Sequence, residues 1–417
     1  MENTLSYAKS QDQQDPLRKF RDQYSFPIGK NEKPPIYLCG NSLGLQPKQT
    51  EEYIHRELED WKNLGVEGHF RSRNPWFKYH WFLKKGLAEC VGAKETEVSA
   101  MNSLTVNLHL MMVSFYRPTK ERYKILTLKN AFPSDQYAFK SQLRFHGLTE
   151  KDALIQVGPK TTEGLLDEEE LYRIIRTDGD KIALILFEGV SYLTGQAFNL
   201  EKIVKEGHAK GCVVGFDLAH AIGNIPMKLH DWDADFAVWC SYKYLNSGPG
   251  AVGGCFVHER FSDDKNIPRF EGWWGHSEEK RLLMESEFVP MPGIDAWQLS
   301  NVPILSSAAL WASLDLFVEA GMENLRKKSV KLTGYLEFLL KEHCKHNIHI
   351  ITPSSPDQRG SQLSIAFQNE GKKFHEKLVV KGVICDWREP NVIRVAPTAM
   401  YNSFEDVYRF VEILNQL

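Results

Sequence analysis

Two residues near the middle of the chain have types and surroundings that suit one kind of chemistry. Phe216-Asp217-Leu218-Ala219-His220 ends an apolar run with an acid. Twenty-six residues after Asp217 comes Lys243, in Ser241-Tyr242-Lys243-Tyr244, which follows the next apolar run and puts the lysine in hydrophobic and aromatic company. Pyridoxal phosphate needs such a pair: a lysine amine for its Schiff base, and a carboxylate that keeps the pyridine nitrogen protonated so that the ring can take up a carbanion's electrons. Apolar company would also lower the lysine's pKa towards the neutral amine that the reaction uses. For these two residues alone, however, an Asp217 that caps a turn and a Lys243 that reaches water are the simpler reading.

Other segments add to the pair. Asn102-Ser103-Leu104-Thr105 precedes the helical run from Val106 to Phe115, so a helix N-terminus is available to a phosphate, although the same residues make a good N-cap. Phe132-Pro133-Ser134-Asp135 sets an aromatic ring beside turn residues, suited to stacking on a flat heterocycle and equally to an ordinary turn. Arg394 lies inside the apolar run Val392 to Ala396, where a guanidinium either clamps a carboxylate or faces solvent from an edge strand. Two patterns mislead. Gly248-Pro249-Gly250-Ala251-Val252-Gly253 fits the dinucleotide fingerprint, but it contains proline and runs into a strand-like segment, so a loop packed under another element is expected. His220, His230, Asp231, Asp233 and Asp235 lack helical metal-ligand spacing and read as solvated loop charge, with no metal.

The elements that must position these residues alternate. A strand is expected from Tyr123 to Leu128, then a helix (Asp167 to Arg176), a strand (Ile182 to Phe187), a helix (Leu200 to Lys210), and strands at Cys212–Phe216 and Phe236–Cys240. Near-continuous apolar strands alternating with helices indicate an α/β fold, a mostly parallel doubly wound sheet whose ligands gather at strand carboxyl ends. Residues 48–64 read as a surface helix with Ile54, Leu58 and Trp61 on one stripe. From Pro303 the pattern becomes two long helices (Ile304 to Val318, Met322 to Cys344), short strands at Leu363–Phe367 and Val392–Val395, and a last helix opened by a Ser403/Asp406 capping box. That is a smaller α+β domain. The expected division is an N-terminal segment joining the small domain (1–50), a large cofactor domain (51–300) and the small domain (301–417).

Composition removes several function classes. The 417 residues carry 51 Lys plus Arg against 54 Asp plus Glu, a net charge of -3, so nucleic-acid binding is not expected. Seven scattered cysteines without a C-x-x-C pair suggest reduced thiols rather than a disulfide framework or zinc ribbon. The first residues are polar, and the longest aliphatic stretch, Ile182 to Phe187, is too short for a bilayer, so a cytoplasmic protein with no membrane partner is expected.

Taken together the segments resemble kynureninase, a pyridoxal-phosphate hydrolase of the aspartate-aminotransferase-type, PLP-dependent transferase-like fold. The resemblance spans nearly the whole chain. It is carried by Leu38-Cys-Gly-Asn-Ser-Leu-Gly-Leu-Gln-Pro47, Phe132-Pro-Ser-Asp135, Leu193-Thr-Gly-Gln196, Gly215-Phe-Asp-Leu-Ala-His-Ala221, Asp235 to Asn246, Gly272-Trp-Trp-Gly-His276, and Arg394-Val-Ala-Pro397 with Tyr401-Asn-Ser-Phe404. By that resemblance Lys243 is the Schiff-base lysine, Asp217 the partner of the pyridine nitrogen and His220 its neighbour, while Phe132, in the string with Pro133, Ser134 and Asp135, stacks on the ring. Leu104, Thr105 and Tyr242 are implied in phosphate and cofactor contacts, and Trp273 and Asn301 in contacts from the second subunit of a homodimer. Arg394 is implied as the clamp of the substrate's α-carboxylate, and His69, Ser42, Asn301 and Trp274 as the lining of its aromatic end. Glu188 departs from the pattern, because relatives have a small hydroxyl residue there and a carboxylate cannot donate to a phosphate unless protonated.

The implied reaction is hydrolysis of the bond between the β- and γ-carbons of L-kynurenine or 3-hydroxykynurenine, giving L-alanine and anthranilate or 3-hydroxyanthranilate, in tryptophan catabolism and NAD biosynthesis. Lys243, Asp217 and Tyr242 are the expected catalytic residues. The rival reading is another enzyme of the same fold, an aminotransferase or a cysteine desulfurase, although no cysteine sits on the Gly/Ser-rich loop that a desulfurase needs. A cofactor-free binding protein is the third reading, and the Lys243/Asp217 pair speaks against it.

Overall fold

The computed structural model describes residues 1–29, 33–159, 161, 164–262, 264 and 266–417. Its large sheet has seven strands: β1 (Val98–Ala100), β2 (Lys124–Leu128), β3 (Leu154–Val157), β4 (Ile182–Glu188), β5 (Val213–Asp217), β6 (Phe236–Trp239) and β7 (Gly254–Val257). Their spatial order is β1-β7-β6-β5-β4-β2-β3. Neighbours from β6 through β3 are parallel, and β7 runs antiparallel to both β6 and β1. All seven residues of β4 are buried, as a central parallel strand covered on both faces requires. The expected mostly parallel α/β sheet is therefore present, and the parallel strands bring Leu128, Glu188, Asp217 and Trp239 to one edge.

The smaller domain holds an antiparallel sheet of β8 (Ile348–Ile350), β9 (Leu363–Phe367), β10 (Asp386–Arg388) and β11 (Val392–Val395), in the order β8-β9-β11-β10. Helices Met322–His343 and Phe404–Leu414 contribute Leu332, Leu336, Val407 and Phe410 to its core. Ser403 Oγ accepts from the Asp406 amide and Asp406 Oδ2 from the Ser403 amide, both at 3.0 Å, closing the capping box. The N-terminal segment also joins here. Asp12 accepts from the amides of Phe404 and Glu405, and Ile36–Tyr37 pairs with Val383–Ile384.

Two expectations change. The boundary at 301 does not hold, because helix Ile304–Ala320 packs on Thr50–Leu64 and Trp81–Val91, and its Leu310, Leu314 and Phe317 belong to the large core. After Ala8 and Leu38 of the N-terminal segment, the small domain's own core resumes only at Leu332 on the next helix. The expected surface helix is present as Thr50–Leu64, with Leu58 41% and Trp61 62% exposed on its apolar stripe. The His and Asp cluster is not wholly solvated loop charge, although Asp231 and Asp233 are exposed. Asp235, 4% exposed, accepts from the Val214 amide and contacts His208 and Arg260, while His230 Nδ1 lies 2.9 Å from Glu97 Oε1. Among the described residues no single helix is long and apolar enough to cross a membrane.

Candidate active site

A cavity of about 160 Å³ opens where the carboxyl ends of β2, β4, β5 and β6 meet. Lys243 enters it from the loop after β6. That loop is held from outside by the N-terminal segment, whose Gly44 amide donates to the Tyr242 carbonyl at 2.8 Å. Lys243 Nζ lies 3.0 Å from His220 Nε2 and 5.7 Å from the centroid of the Phe132 ring. The apolar setting expected for this lysine is thus corrected: the stem leaves the buried Tyr244 behind, and the amine meets an imidazole and nearby carboxyls. Burial and the charge of Lys243 hold His220 well below its usual pKa, so the ring is neutral and its Nε2 can accept from the ammonium.

Asp217, the last residue of β5, accepts from the Ala219 amide at 2.7 Å. Burial raises its pKa, and Asp135, the Ala219 amide and Lys243 oppose the rise. Asp135 is 1% exposed, and burial together with the neighbouring Asp217 charge pushes its carboxyl well above the carboxylate range. Two carboxyls this close do not both ionise, so Asp135 holds the proton and Asp217 the charge.

Glu188, the last residue of β4, is the register partner of Asp217. Its Oε1 accepts from the Phe132 amide at 2.8 Å, and burial followed by the Asp217 charge raises its pKa to about 8. Tyr242 also lines the cavity, and burial, with Cys240 beside it, keeps its hydroxyl protonated.

The opposite wall is made for an anion. Helices Leu104–Phe115 and Pro133–Phe145 both start at the cavity, and neither N-terminus is closed by a side-chain cap. Ser103 occupies the N-cap position of the first helix with its hydroxyl making no capping bond. The Thr105 and Ser134 hydroxyls stand 2.9 Å apart between the two helix starts. Gly253, from the misleading glycine pattern, lies directly beneath: its amide donates to the Asn102 carbonyl at 2.8 Å, and a Cβ there would sit 3.2 Å from the Leu104 nitrogen. The glycine serves close packing of strand against helix. Phe132, 41% exposed, is steadied edge-on by Tyr192 at 5.3 Å.

This donor set fits a flat, phosphate-bearing heterocycle with a basic ring nitrogen. Asp217 is an ionised acceptor for the nitrogen, Phe132 offers a ring face, two open helix starts and two hydroxyls suit the phosphate, and Lys243 is the attachment point.

The substrate residues implied by resemblance are not gathered around this cavity in one chain. Arg394 is 1% exposed on β11, between β9 and β10, so the solvent-facing edge-strand alternative is excluded. Its Nη1 donates to the carbonyl of Tyr192, which lines the cavity, at 2.6 Å, and Nη2 donates to Asp386, its cross-strand partner, at 2.5 Å. Nε is buried without a partner among the described residues. Ser42 lies in the turn between Cys39 and Gly44, and His69 packs against Trp76 at 5.5 Å. Trp273 is 42% exposed and Asn301 is exposed, away from the cavity of their own chain. Trp274, expected against the substrate, is 2% exposed and packed between Phe77 and Arg281, so its ring serves its own chain's core. Sequence reasoning missed Tyr192 as a cavity wall and Asp386 as the partner of Arg394. Tyr192 stands one residue before the quoted Leu193-Thr-Gly-Gln196 string, whereas Asp386 gives no local signal.

The fold is widely shared. An apo cysteine desulfurase from Thermococcus onnurineus superposes with a TM-score of 0.76 at 18% identity, covering 92% of this chain and 94% of that one. The cysteine desulfurase CsdA from Escherichia coli gives 0.76 at 16% identity, covering 96% and 98%. Likeness at that identity reports architecture alone. Sequence relatives are far more similar: a kynureninase from Myxococcus xanthus is 54% identical over 413 residues, 99% of this chain and 97% of its own length. One from Koribacter versatilis is 52% identical over 411 residues with the same coverage, and one from Flavobacterium psychrophilum 50% over 420. The kynureninase C-terminal domain model matches residues 325–414, the region of the small sheet and Arg394. Identity of this order along essentially the whole chain, over a cavity built for pyridoxal phosphate, means that the chain belongs to the kynureninase family, pyridoxal-phosphate-dependent hydrolases that cleave kynurenine-type substrates in tryptophan catabolism.

Proposed function

We propose that this cytoplasmic protein works as a homodimer that hydrolyses the β–γ carbon bond of kynurenines, with 3-hydroxy-L-kynurenine preferred, releasing L-alanine and 3-hydroxyanthranilate. The observation that carries the reading is the meeting of Lys243, His220, Asp217 and Phe132 at one sheet edge beside two open helix starts. Bound there, pyridoxal phosphate supplies an electron sink for the carbanion next to the substrate's amino group. Asp217 holds a proton at the pyridine nitrogen, and Phe132 fixes the plane of the ring. The Thr105 and Ser134 hydroxyls and the amides that open the two helices hold the phosphate.

Lys243 removes the proton from the substrate's α-carbon, and neutral His220, 3.0 Å from its amine, accepts a hydrogen bond that steadies the lysine between transfers. Water adds to the γ-carbonyl, the aromatic acid leaves, and the Tyr242 hydroxyl returns a proton to the three-carbon fragment. Arg394 keeps its Nε hydrogen and one hydrogen on each terminal nitrogen for the α-carboxylate.

The dimer accounts for two groups of residues that one chain leaves outside the cavity. Trp273 and Asn301 are exposed, and Leu58, Trp61 and Phe70 (55% exposed) add apolar surface of the kind that a second copy covers. In that assembly Trp273 and Asn301 reach the partner's cofactor, and Ser42, His69 and Asn301 meet the substrate's ring. Substrate preference is the sharpest test. The double variant His69→Phe/Asn301→Thr is expected to shift the ratio of kcat/KM values about tenfold towards plain kynurenine, since lost polar partners for one ring hydroxyl are worth roughly that factor. An unchanged ratio contradicts the assignment of the two residues.

A further inference from the structure

The cofactor cavity holds more acid than its chemistry uses. Asp217 serves the ring nitrogen and Asp135 is its protonated neighbour, which leaves Glu188 unexplained. Glu188 is 6% exposed and lines the cavity. Oε1 accepts from the Phe132 amide, and Oε2 is buried without a hydrogen-bond partner among the described residues. The groups facing it are Asp217 on β5, Asp135 at the start of helix Pro133–Phe145, Tyr192 on the following loop, and Lys243, with His220 beyond the lysine. Lys243 is the only cation in this immediate group, and Asp217 already claims its charge. A second negative charge beside Asp217 would meet the incoming anionic cofactor without compensation.

We propose that Glu188 is a proton-holding residue of the cofactor cavity, neutral while pyridoxal phosphate is bound, and that its ionisation drives the cofactor out. The neutral acid keeps Oε1 as acceptor for Phe132, the residue that carries the stacking ring, and turns Oε2 into a hydroxyl donor inside the cavity. Its titration falls in an accessible range, because burial and then the Asp217 charge raise the carboxyl to about 8 against the pull of the Phe132 and Tyr192 amides and Lys243. The sign follows from linkage: a bound anionic cofactor raises the pKa of Glu188 further, and ionised Glu188 weakens the cofactor by the same factor.

The inference rests on pyridoxal phosphate occupying this cavity, and the experiment separates the two. Cofactor dissociation constants are measured by equilibrium dialysis of the full-length holoenzyme from about pH 6.5 to about pH 9.5, for wild type, Glu188→Gln and Glu188→Thr. The three proteins differ only at residue 188, so the informative quantity is the ratio of wild-type to variant Kd. That ratio is expected to be level below about pH 7 and to climb by about tenfold above pH 8, since a coupling of one pKa unit is a factor of ten. A ratio that stays level across the whole range, whatever its value, means that Glu188 acts only by shape and overturns the proposal. If neither variant folds, wild type alone decides with pyridoxine 5′-phosphate, which has no aldehyde for Lys243 to capture. Its affinity must fall through the same range, and a pH-independent affinity overturns the proposal. Absence of cofactor binding by wild type at every pH overturns the placement of the cofactor, and the role of Glu188 with it.

Discussion

Asp295 anchors the segment that carries Trp273, Trp274 and Asn301, and removing its charge has a calculable cost. It is 5% exposed in the short turn Gly293–Trp297, where Oδ2 accepts from Lys84 Nζ at 2.8 Å and Oδ1 from Gln298 Nε2 at 2.8 Å. Lys84 is itself 8% exposed on helix Trp81–Val91, and the same turn packs on Trp273–Gly275. Burial alone would raise the Asp295 pKa, but the His80 ring, 3.8 Å away, and the Lys84 charge overcome it and bring the carboxyl from an ordinary 3.8 to about 2. That gap is worth about 2 kcal/mol of stability at neutral pH.

Because the folded value is the lower one, the contribution is complete above the unfolded pKa and fades as the pH falls from 3.8 towards 2, with about half left near pH 3. Asp295→Asn keeps the shape, loses this term and leaves the Lys84 ammonium buried without a counter-charge. The total is expected to be about 3–5 kcal/mol at neutral pH. Lys84→Met/Asp295→Leu, which removes both charges, should recover most of it. The assay is urea unfolding followed by tryptophan fluorescence, near pH 7 and again near pH 3, where the gap between wild type and Asp295→Asn should narrow by about 1 kcal/mol. An Asp295→Asn variant within about 0.5 kcal/mol of wild type, or a double variant as unstable as the single one, refutes the reasoning.

Two further outcomes follow from the site. A Cβ at position 253 would lie 2.9 Å from the Trp239 carbonyl oxygen and 3.1 Å from the Ser103 carbonyl carbon, all backbone, so Gly253→Ala must displace the start of helix Leu104–Phe115. Cofactor affinity, read by fluorescence titration, should fall about tenfold, the equivalent of about 1.4 kcal/mol, and an unchanged affinity would mean that this helix start does not hold the phosphate. Arg394→Lys keeps a cation beside Asp386, which also has Arg388 at 3.2 Å, so the fold should persist while the planar fork is lost. We expect kcat/KM to drop about 100-fold, chiefly through KM, in steady-state kinetics; an unaltered KM would remove Arg394 from carboxylate binding.

What could be read from the sequence had local causes. Continuous apolar runs marked β4, β5 and β6, and the acid at the end of β5 and the lysine after β6 followed from them, because parallel strands deliver their last residues to one edge. The wrong setting for Lys243 arose because its sequence neighbours Tyr242 and Tyr244 are aromatic, whereas the groups that meet its amine come from other strands. The boundary error has the same origin: helix Ile304–Ala320 is apolar nearly all round, and no local pattern says which core will take it. Asp135 read as a turn residue, and its raised carboxyl beside Asp217 exists only once β5 and the start of helix Pro133–Phe145 are side by side. Glu188 was visible as an anomaly of residue type, but its acceptor role for the Phe132 amide and its place opposite Asp217 needed the sheet register.

The most direct test mixes the pyridoxal-phosphate-loaded protein with L-kynurenine and 3-hydroxy-L-kynurenine in turn and follows the fluorescence of anthranilate and 3-hydroxyanthranilate, with Lys243→Ala as control. Product from the wild type with both substrates, faster with the hydroxylated one, and none from Lys243→Ala is the expected result. Product formation that survives loss of Lys243, or a loaded wild type that releases neither aromatic acid, would contradict the assignment of this cavity as the catalytic centre.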